Sequence, residues 1–284
     1  MKFAVNYATP VDGTDPDRLA GFAEHAESCG FEALYVPDHV VLSPGAKNGN
    51  GELPPTLPYL DPLDCLSFVA AATNRILLGT GVLLLPYRHP VVLAKRLATV
   101  DVLSKGRMRL LTVGLGIMPG EAKAVGVDFA TRGRRADEAI DVLRLLWSGG
   151  PAGVDHHGEF FDFDKLCSYP KPHGVTELPI HVGGSSRAAA RRVGLRGDGF
   201  FLGGMLTEQE RDEQFELARK TAAEAGRDPA ALEYTRWGPS DLSAEQVGEL
   251  AEHGVTRVVV NFAAPDLDQQ RDQMSEFADR FGLR

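Results

Sequence analysis

Four short segments of this chain hold residue types that chemistry needs. The first is Pro37-Asp38-His39. An imidazole beside a carboxylate can orient a ligand or move a proton near neutral pH. The same pair also fits a turn capped by Asp38 with a merely structural His39. The second and third are Gly79-Thr80-Gly81-Val82 and Gly114-Leu115-Gly116. Glycine weakens a strand interior unless a ligand or another backbone must come close. Two such pairs therefore imply a cavity with something flat or bulky against it; tight packing of a tapered core is the plainer alternative. The fourth is Gly183-Gly184-Ser185-Ser186-Arg187, at the start of a helix pattern. Free N–H groups at a helix start bind anions, and glycines let a phosphate approach. Ser185 or Ser186 can cap the helix and also bond phosphate oxygens. The set suits a cofactor that carries a phosphate and a flat ring.

Other chemistries find no support. Gly116 is followed by Gly120, which misses the dinucleotide G-x-G-x-x-G spacing. His-Glu-x-x-His, Cys-x-x-Cys, Gly-x-Ser-x-Gly and Gly-x-x-x-x-Gly-Lys do not occur. Asp155-His156-His157 sits in a polar stretch without a spaced partner and reads as a solvated loop, so no metal is expected. Arg132, Arg134 and Arg135, with Asp137 and Glu138 nearby, read as a solvated helix face. A formal net charge of −9 and a pI near 5.4 count against nucleic-acid and anionic-membrane partners. No apolar run has the length of a membrane span, and the N-terminus enters a strand pattern at once. Cys29, Cys65 and Cys167 are odd in number and far apart, which suits a reducing cytoplasm.

These segments need elements to hold them, and the chain supplies a regular alternation. Strand patterns cover Lys2–Tyr7, Phe31–Val36, Ile76–Leu84, Arg109–Val113, Leu178–Val182, Asp198–Leu202, Leu232–Trp237 and Val255–Phe262. Helix patterns cover Asp15–Cys29, Asp61–Thr73, Pro90–Ser104, Thr131–Trp147, Ser186–Leu195, Thr207–Ala225, Ser243–His253 and Asp268–Phe281. Eight β-α units in 284 residues predict an α/β fold, a (β/α)8 TIM barrel in one domain over residues 1–284. An open doubly wound sheet is the competing arrangement. Two connections are too long for plain loops: Val41–Leu60 after the second strand and Ser148–Glu177 before the fifth. The first belongs to the strand face where barrel active sites form; the second follows a helix and can cover the bottom or an edge. A barrel aldolase or sugar isomerase would need a lysine or paired carboxylates at strand ends, and none stands there.

Five segments together resemble a known family. They are Gly30-Phe31-Glu32-Ala33-Leu34-Tyr35-Val36-Pro37-Asp38-His39, Leu78-Gly79-Thr80-Gly81-Val82, Arg88-His89-Pro90-Val91-Val92-Leu93-Ala94-Lys95, Arg132-Gly133-Arg134-Arg135-Ala136-Asp137-Glu138 and Pro179-Ile180-His181-Val182-Gly183-Gly184-Ser185. The chain is similar to the bacterial-luciferase-like flavin and deazaflavin oxidoreductases, in particular their F420-dependent branch. The match runs from Met1 to about Leu202 and is weaker beyond. It implies a cofactor at the C-terminal mouth of the barrel, with a non-proline cis peptide at Gly81–Val82 behind its ring. It makes His39 the active-site histidine and Gly183, Gly184 and Ser185 the phosphate turn. Asp38, Thr80, Gly114, Gly116 and Ser186 complete the expected cofactor contacts.

The implied cofactor is coenzyme F420, with Arg187 and Arg191 near the turn for its acidic tail. FMN with a reductase partner is the alternative, and a non-catalytic flavin-binding barrel is a third. One departure matters. F420-dependent sugar-phosphate dehydrogenases carry an acidic glutamate after the fourth-strand glycines; here Ile117 stands there, with Met118 and Pro119 behind it. A sugar phosphate is thus not expected, and a wall of Ile117 and Met118 points to an apolar small-molecule substrate. The family often dimerises, and the apolar helix Thr131–Trp147 is the face considered for a homodimer.

Overall fold

The computed structural model describes residues 1–48 and 51–283. Its barrel strands are β1 (Lys2–Asn6), β2 (Ala33–Val36), β3 (Leu77–Thr80), β4 (Met108–Gly114), β5 (Ile180–Gly184), β6 (Gly199–Leu202), β7 (Glu233–Pro239) and β8 (Arg257–Asn261). Each pairs in parallel with the next, and β8 returns to β1, so the sheet closes. The eight main helices follow the strands: α1 (Pro16–Ser28), α2 (Pro62–Ala72), α3 (Pro90–Leu103), α4 (Arg132–Ser148), α5 (Arg187–Arg196), α6 (Glu208–Glu224), α7 (Ala244–Glu252) and α8 (Leu267–Phe281). This is the closed (β/α)8 barrel, and the open sheet is ruled out by the β4–β5 and β8–β1 pairings.

The local reasons are visible residue by residue. Pro16, Pro62 and Pro90 open α1, α2 and α3, where a missing N–H costs nothing. Asp15, Asp61, Ser186, Thr207, Ser243 and Asp266 each accept a backbone N–H at a helix start. The main core lies between strands and helices, and a smaller layer of Ala4, Ala33, Tyr35, Leu110, Phe201 and Val259 fills the barrel itself. The apolar stripe of α4, from Ala136 to Trp147, is spent in the main core. It is therefore not free to form a homodimer face, because burial against the sheet is what that stripe is for. Among the described residues no helix is long and apolar enough to cross a membrane.

Two stretches differ from the sequence expectation, the third strand and the connection before β5. The third strand is not continuous from Ile76 to Leu84. It stops at Thr80, passes through a cis peptide at Gly81–Val82, and resumes at Leu83–Leu84 beside Val113 and Gly114 of β4. The Val41–Leu60 connection arches at the mouth and is tied down where Thr9 Oγ1 donates to Pro58 O at 2.7 Å and accepts from Leu60 N at 3.2 Å. Gly49 and Asn50 of that connection, and Arg284, lie outside the described residues.

The Ser148–Glu177 connection forms an antiparallel hairpin, Val154–His157 with Asp162–Leu166. Asp155-His156-His157 is thus strand rather than loop. Its side chains are used locally: Asp155 accepts Lys165 N at 2.7 Å, His156 meets Glu138 at 3.1 Å and His157 meets Asp162 at 3.2 Å. Glu138 of α4 also accepts the N–H groups of Phe160 and Phe161, which fastens the hairpin to the outside of the barrel.

Candidate cofactor site at the C-terminal mouth

A cavity of about 400 Å³ opens where the strands end. Its walls come from segments far apart in the chain: Pro37, Asp38 and His39 after β2; Gly81 and Val82 in the break of β3; Gly114 and Gly116 after β4; and the turn Gly183-Gly184-Ser185-Ser186. Of the residues expected at a cofactor, Thr80 is the exception. It is fully buried and belongs to the sheet. Its Oγ1 donates to Thr112 O at 2.7 Å and accepts from Thr112 N at 3.0 Å. The β3–β4 ladder slips between Leu78 and Gly79, and the Thr80 hydroxyl supplies the bonds that the slipped backbone does not.

Asp38 shapes the break in β3. Its carboxylate accepts Leu84 N at 2.9 Å and the Arg88 guanidinium at 2.9 and 3.3 Å, and Arg88 also pairs with Asp61 at 2.8 Å. Burial lifts the Asp38 carboxyl above its usual range, more than the Arg88 charge and the Leu84 N–H lower it. Asp38 therefore ties the end of β2 to the residue where the third strand resumes.

His39 is held by a residue that the sequence reading did not single out. Glu121 lies in the first turn of a short helix, Pro119–Ala124, after the fourth-strand glycines, and is 2% exposed. It accepts Val40 N at 2.7 Å and stands 3.2 Å from His39 Nδ1. A carboxylate only accepts, so Nδ1 carries the hydrogen and Nε2 is the nitrogen left for a proton transfer. Tyr59, from the Val41–Leu60 connection, closes the other side, its ring edge-on to His39 with centroids 4.7 Å apart. An acid in the first turn of a short helix reads in sequence as a favourable dipole contact, so only the fold reveals this partner.

The glycines are explained by what they meet. The Val82 side chain lies across the strand ends, so that a Cβ on Gly114 or on Gly183 would collide with its methyl groups. A Cβ on Gly116, at φ +74°, would collide with the Tyr87 hydroxyl. Packing and an open wall are therefore the same feature, because these residues also line the cavity.

The turn leads into α5, with Ser186 as N-cap accepting Ala189 N at 3.1 Å. The N–H groups of the first turn have no intrahelical partner. Arg132 faces the same cavity, contrary to the solvated reading of its cluster. Its guanidinium lies 3.6 Å over the Phe129 ring and donates to Phe129 O at 2.6 Å, and its Nε is buried without a partner. Arg134 instead pairs with Glu159 at the surface, and Arg135 donates to Pro86 O. Arg187 and Arg191 are exposed and do not line the cavity. Ile117 is 59% exposed and forms part of the wall, whereas Met118 is turned into the core at 5%. The apolar wall is thus Ile117 with Leu115, not Ile117 with Met118.

Known proteins are similar to this chain in sequence or in fold. An F420-dependent glucose-6-phosphate dehydrogenase of Kribbella flavida is 30% identical over 270 residues, covering 87% of this chain and 77% of that one. A solved F420-dependent secondary alcohol dehydrogenase superposes with a TM-score of 0.80 at 19% identity, covering all of both chains. The monooxygenase RslO1 of Streptomyces bottropensis superposes with a TM-score of 0.77 at 20% identity over 99% of this chain and 98% of that one. At those identities the two structures speak for the fold. The luciferase-like monooxygenase family profile matches residues 1–279, and the chain belongs to that family.

Proposed function

We propose that the protein is an oxidoreductase that uses coenzyme F420 to exchange a hydride with a carbon of a small, largely apolar substrate. The observation that carries this reading is one cavity combining a flat glycine wall, a histidine fixed by a carboxylate and an anion cradle. The flat wall at Gly81, Val82 and Gly114 suits the ring. The turn Gly183–Ser186 at the start of α5, with Arg132 beside it, suits the phosphate. When bound, the deazaflavin supplies the hydride chemistry. His39 Nε2 is the atom that takes or gives the accompanying proton, and Tyr59 limits the access of water to it. The family relative of Kribbella flavida supports F420 by its name. Its sugar phosphate is not carried over, because Ile117 puts an apolar side chain where an acid would be needed.

FMN is the second reading, favoured by the fold shared with a monooxygenase. Titration of the protein with F420 and, separately, with FMN decides between them, followed by cofactor and tryptophan fluorescence. Tight F420 and weak FMN binding is the expected result. The reverse preference makes the protein a flavin monooxygenase that needs oxygen and a reductase partner. Binding of neither by folded protein would overturn both.

A further inference from the structure

The Val41–Leu60 connection supplies part of the cavity wall, since Tyr59 stands in it and His39 just before it. Its own packing does little to hold it there. Among its described residues, 41–48 and 51–60, none is buried. A segment with so few buried contacts takes its place from its fastenings. Glu121 fastens the entry at Val40 N, and Thr9 the exit at Pro58 O and Leu60 N. Each of these holds one end.

Arg88 holds both. Its guanidinium donates through Nε and Nη2 to Asp38, the residue before His39, at 3.3 and 2.9 Å. Through Nη1 it donates to Asp61, two residues past Tyr59, at 2.8 Å. The side chains of Arg88 and Asp38 are 14% and 1% exposed, so this arm is shielded from water. Asp61 is more open, at 32%, yet its carboxyl is held below the usual range. Burial would raise it, and the charge and hydrogen bond of Arg88, with the Leu63 N–H, outweigh that. A planar guanidinium bonds two carboxylates in fixed directions; a lysine ammonium is a point charge without that fork. Arg88 is itself fixed from a third side. It directly follows the turn Leu85–Tyr87 after the interrupted third strand, where Asp38 accepts Leu84 N. Arg88 is not among the residues that wall the cavity. It bonds instead to the neighbours of those that do.

We propose that Arg88 is a positioning residue: it clamps the two ends of the Val41–Leu60 connection together and so sets Tyr59 against His39. The proposal rests on the cofactor reading above, which gives His39 a proton to move. Opening the Asp61 arm releases Tyr59 without altering any side chain of the cavity.

Two variants open the clamp and keep the fold. Asp61→Ser retains a cap for α2 but is too short to reach Arg88. Arg88→Lys keeps a positive charge beside the buried Asp38 but no longer bonds both carboxylates. Asp141→Ala, which breaks the ion pair with Arg196, is the control for losing a pair elsewhere. Lys47 is exposed and is the one basic residue in 41–60, so trypsin cleavage there reads the freedom of the connection. Without cofactor, both clamp variants should be cut at Lys47 at least about tenfold faster than wild type, and the control within about threefold of it. The double variant should add less than about threefold to either single one, because both open the same arm. The His39 ring signals in ¹H–¹³C NMR should shift in both variants while those of His156 and His157 stay, which a merely structural ion pair would not produce. On any substrate found by screening, kcat should fall about tenfold or more while F420 affinity changes less than about threefold. Wild-type cleavage at Lys47, or unmoved His39 signals, in Asp61→Ser would overturn the clamp. A wild type that does not bind F420 overturns the cofactor reading instead, and the two readouts without cofactor still decide the clamp.

Discussion

A histidine becomes a directed acid or base when one of its nitrogens is committed elsewhere. In this protein Glu121 makes that commitment at Nδ1, 3.2 Å away, while its second contact to Val40 N keeps the carboxylate from turning. His39→Ala should cut kcat on any substrate found by screening by about 10²–10⁴-fold, the usual share of a general acid or base. F420 affinity should stay nearly constant, and a loss confined to that affinity would remove His39 from the chemistry. Glu121→Gln is a gentler test. The amide can still accept Val40 N–H, but it no longer enforces the Nδ1–H tautomer. Turnover should fall and its pH profile should shift, and ¹⁵N NMR of the imidazole should report the altered tautomer even without a substrate. Unchanged imidazole shifts would make Glu121 a packing residue. At this scale the sequence is informative wherever residue type itself carries chemistry, as for Asp38, His39 and the glycine–serine turn. It is silent where a partner arrives through the fold. Glu121 is 82 positions from His39, and Trp237 reaches Gly81 across the barrel.

The elements carry the shape of the site, and Val82 shows how. Its side chain occupies the space that side chains on Gly114 and Gly183 would need, so three strand ends are locked together by one isopropyl group. Gly114→Ala should destabilise the fold by about 1–3 kcal/mol through overpacking and should also weaken cofactor binding. Val82→Ala should recover much of that loss in the double variant, a coupling above about 0.5 kcal/mol in urea unfolding. Strict additivity would mean that Gly114 is needed for some reason other than Val82. The helices were readable from their proline and Ser/Thr/Asp starts, and most strands from apolar runs. The interruption of the third strand at Gly81–Val82 was not readable from periodicity, since Leu83 and Leu84 continue the apolar run; only the family resemblance located it. The Val154–Leu166 hairpin escaped because its strands are short and largely polar, and of their side chains Val154 and Phe163 are the apolar ones packed against the core.

Unit count alone made the closed barrel legible for the molecule as a whole, but closure also creates a bottom that no single segment foretells. There β1, β2, β5, β7 and β8 bring Lys2, Glu32, His181, Glu233 and Arg257 together beneath the inner core. Arg257, 1% exposed, donates to Glu32 at 2.5 and 2.9 Å and to Glu233 at 2.8 Å. His181 is enclosed beside them, its Nε2 3.6 Å from Glu233 and its Nδ1 without a partner. Burial first, and then the positive charge of Arg257, push the imidazole down to about 4. Burial would raise Glu233, but the hydrogen bond and charge of Arg257, with Lys2, outweigh it and hold that carboxyl at about 2. Both shifts work in one direction. As pH falls below about 6.5 the unfolded chain protonates His181 while the folded chain does not, so stability declines until about pH 4. The decline from His181 is on the order of 3 kcal/mol. Glu233 adds to it between about pH 4.5 and pH 2, where the unfolded glutamate takes a proton that the folded one refuses. His181→Gln removes the first contribution and leaves the second. Urea unfolding from about pH 7 to about pH 4.5 should therefore give a clearly flatter stability curve for the variant than for the wild type. The comparison is of slopes, because the substitution also changes packing against Gly199 and so the absolute level. Parallel curves would mean that His181 titrates normally in the folded protein, and that the barrel bottom admits water to the imidazole.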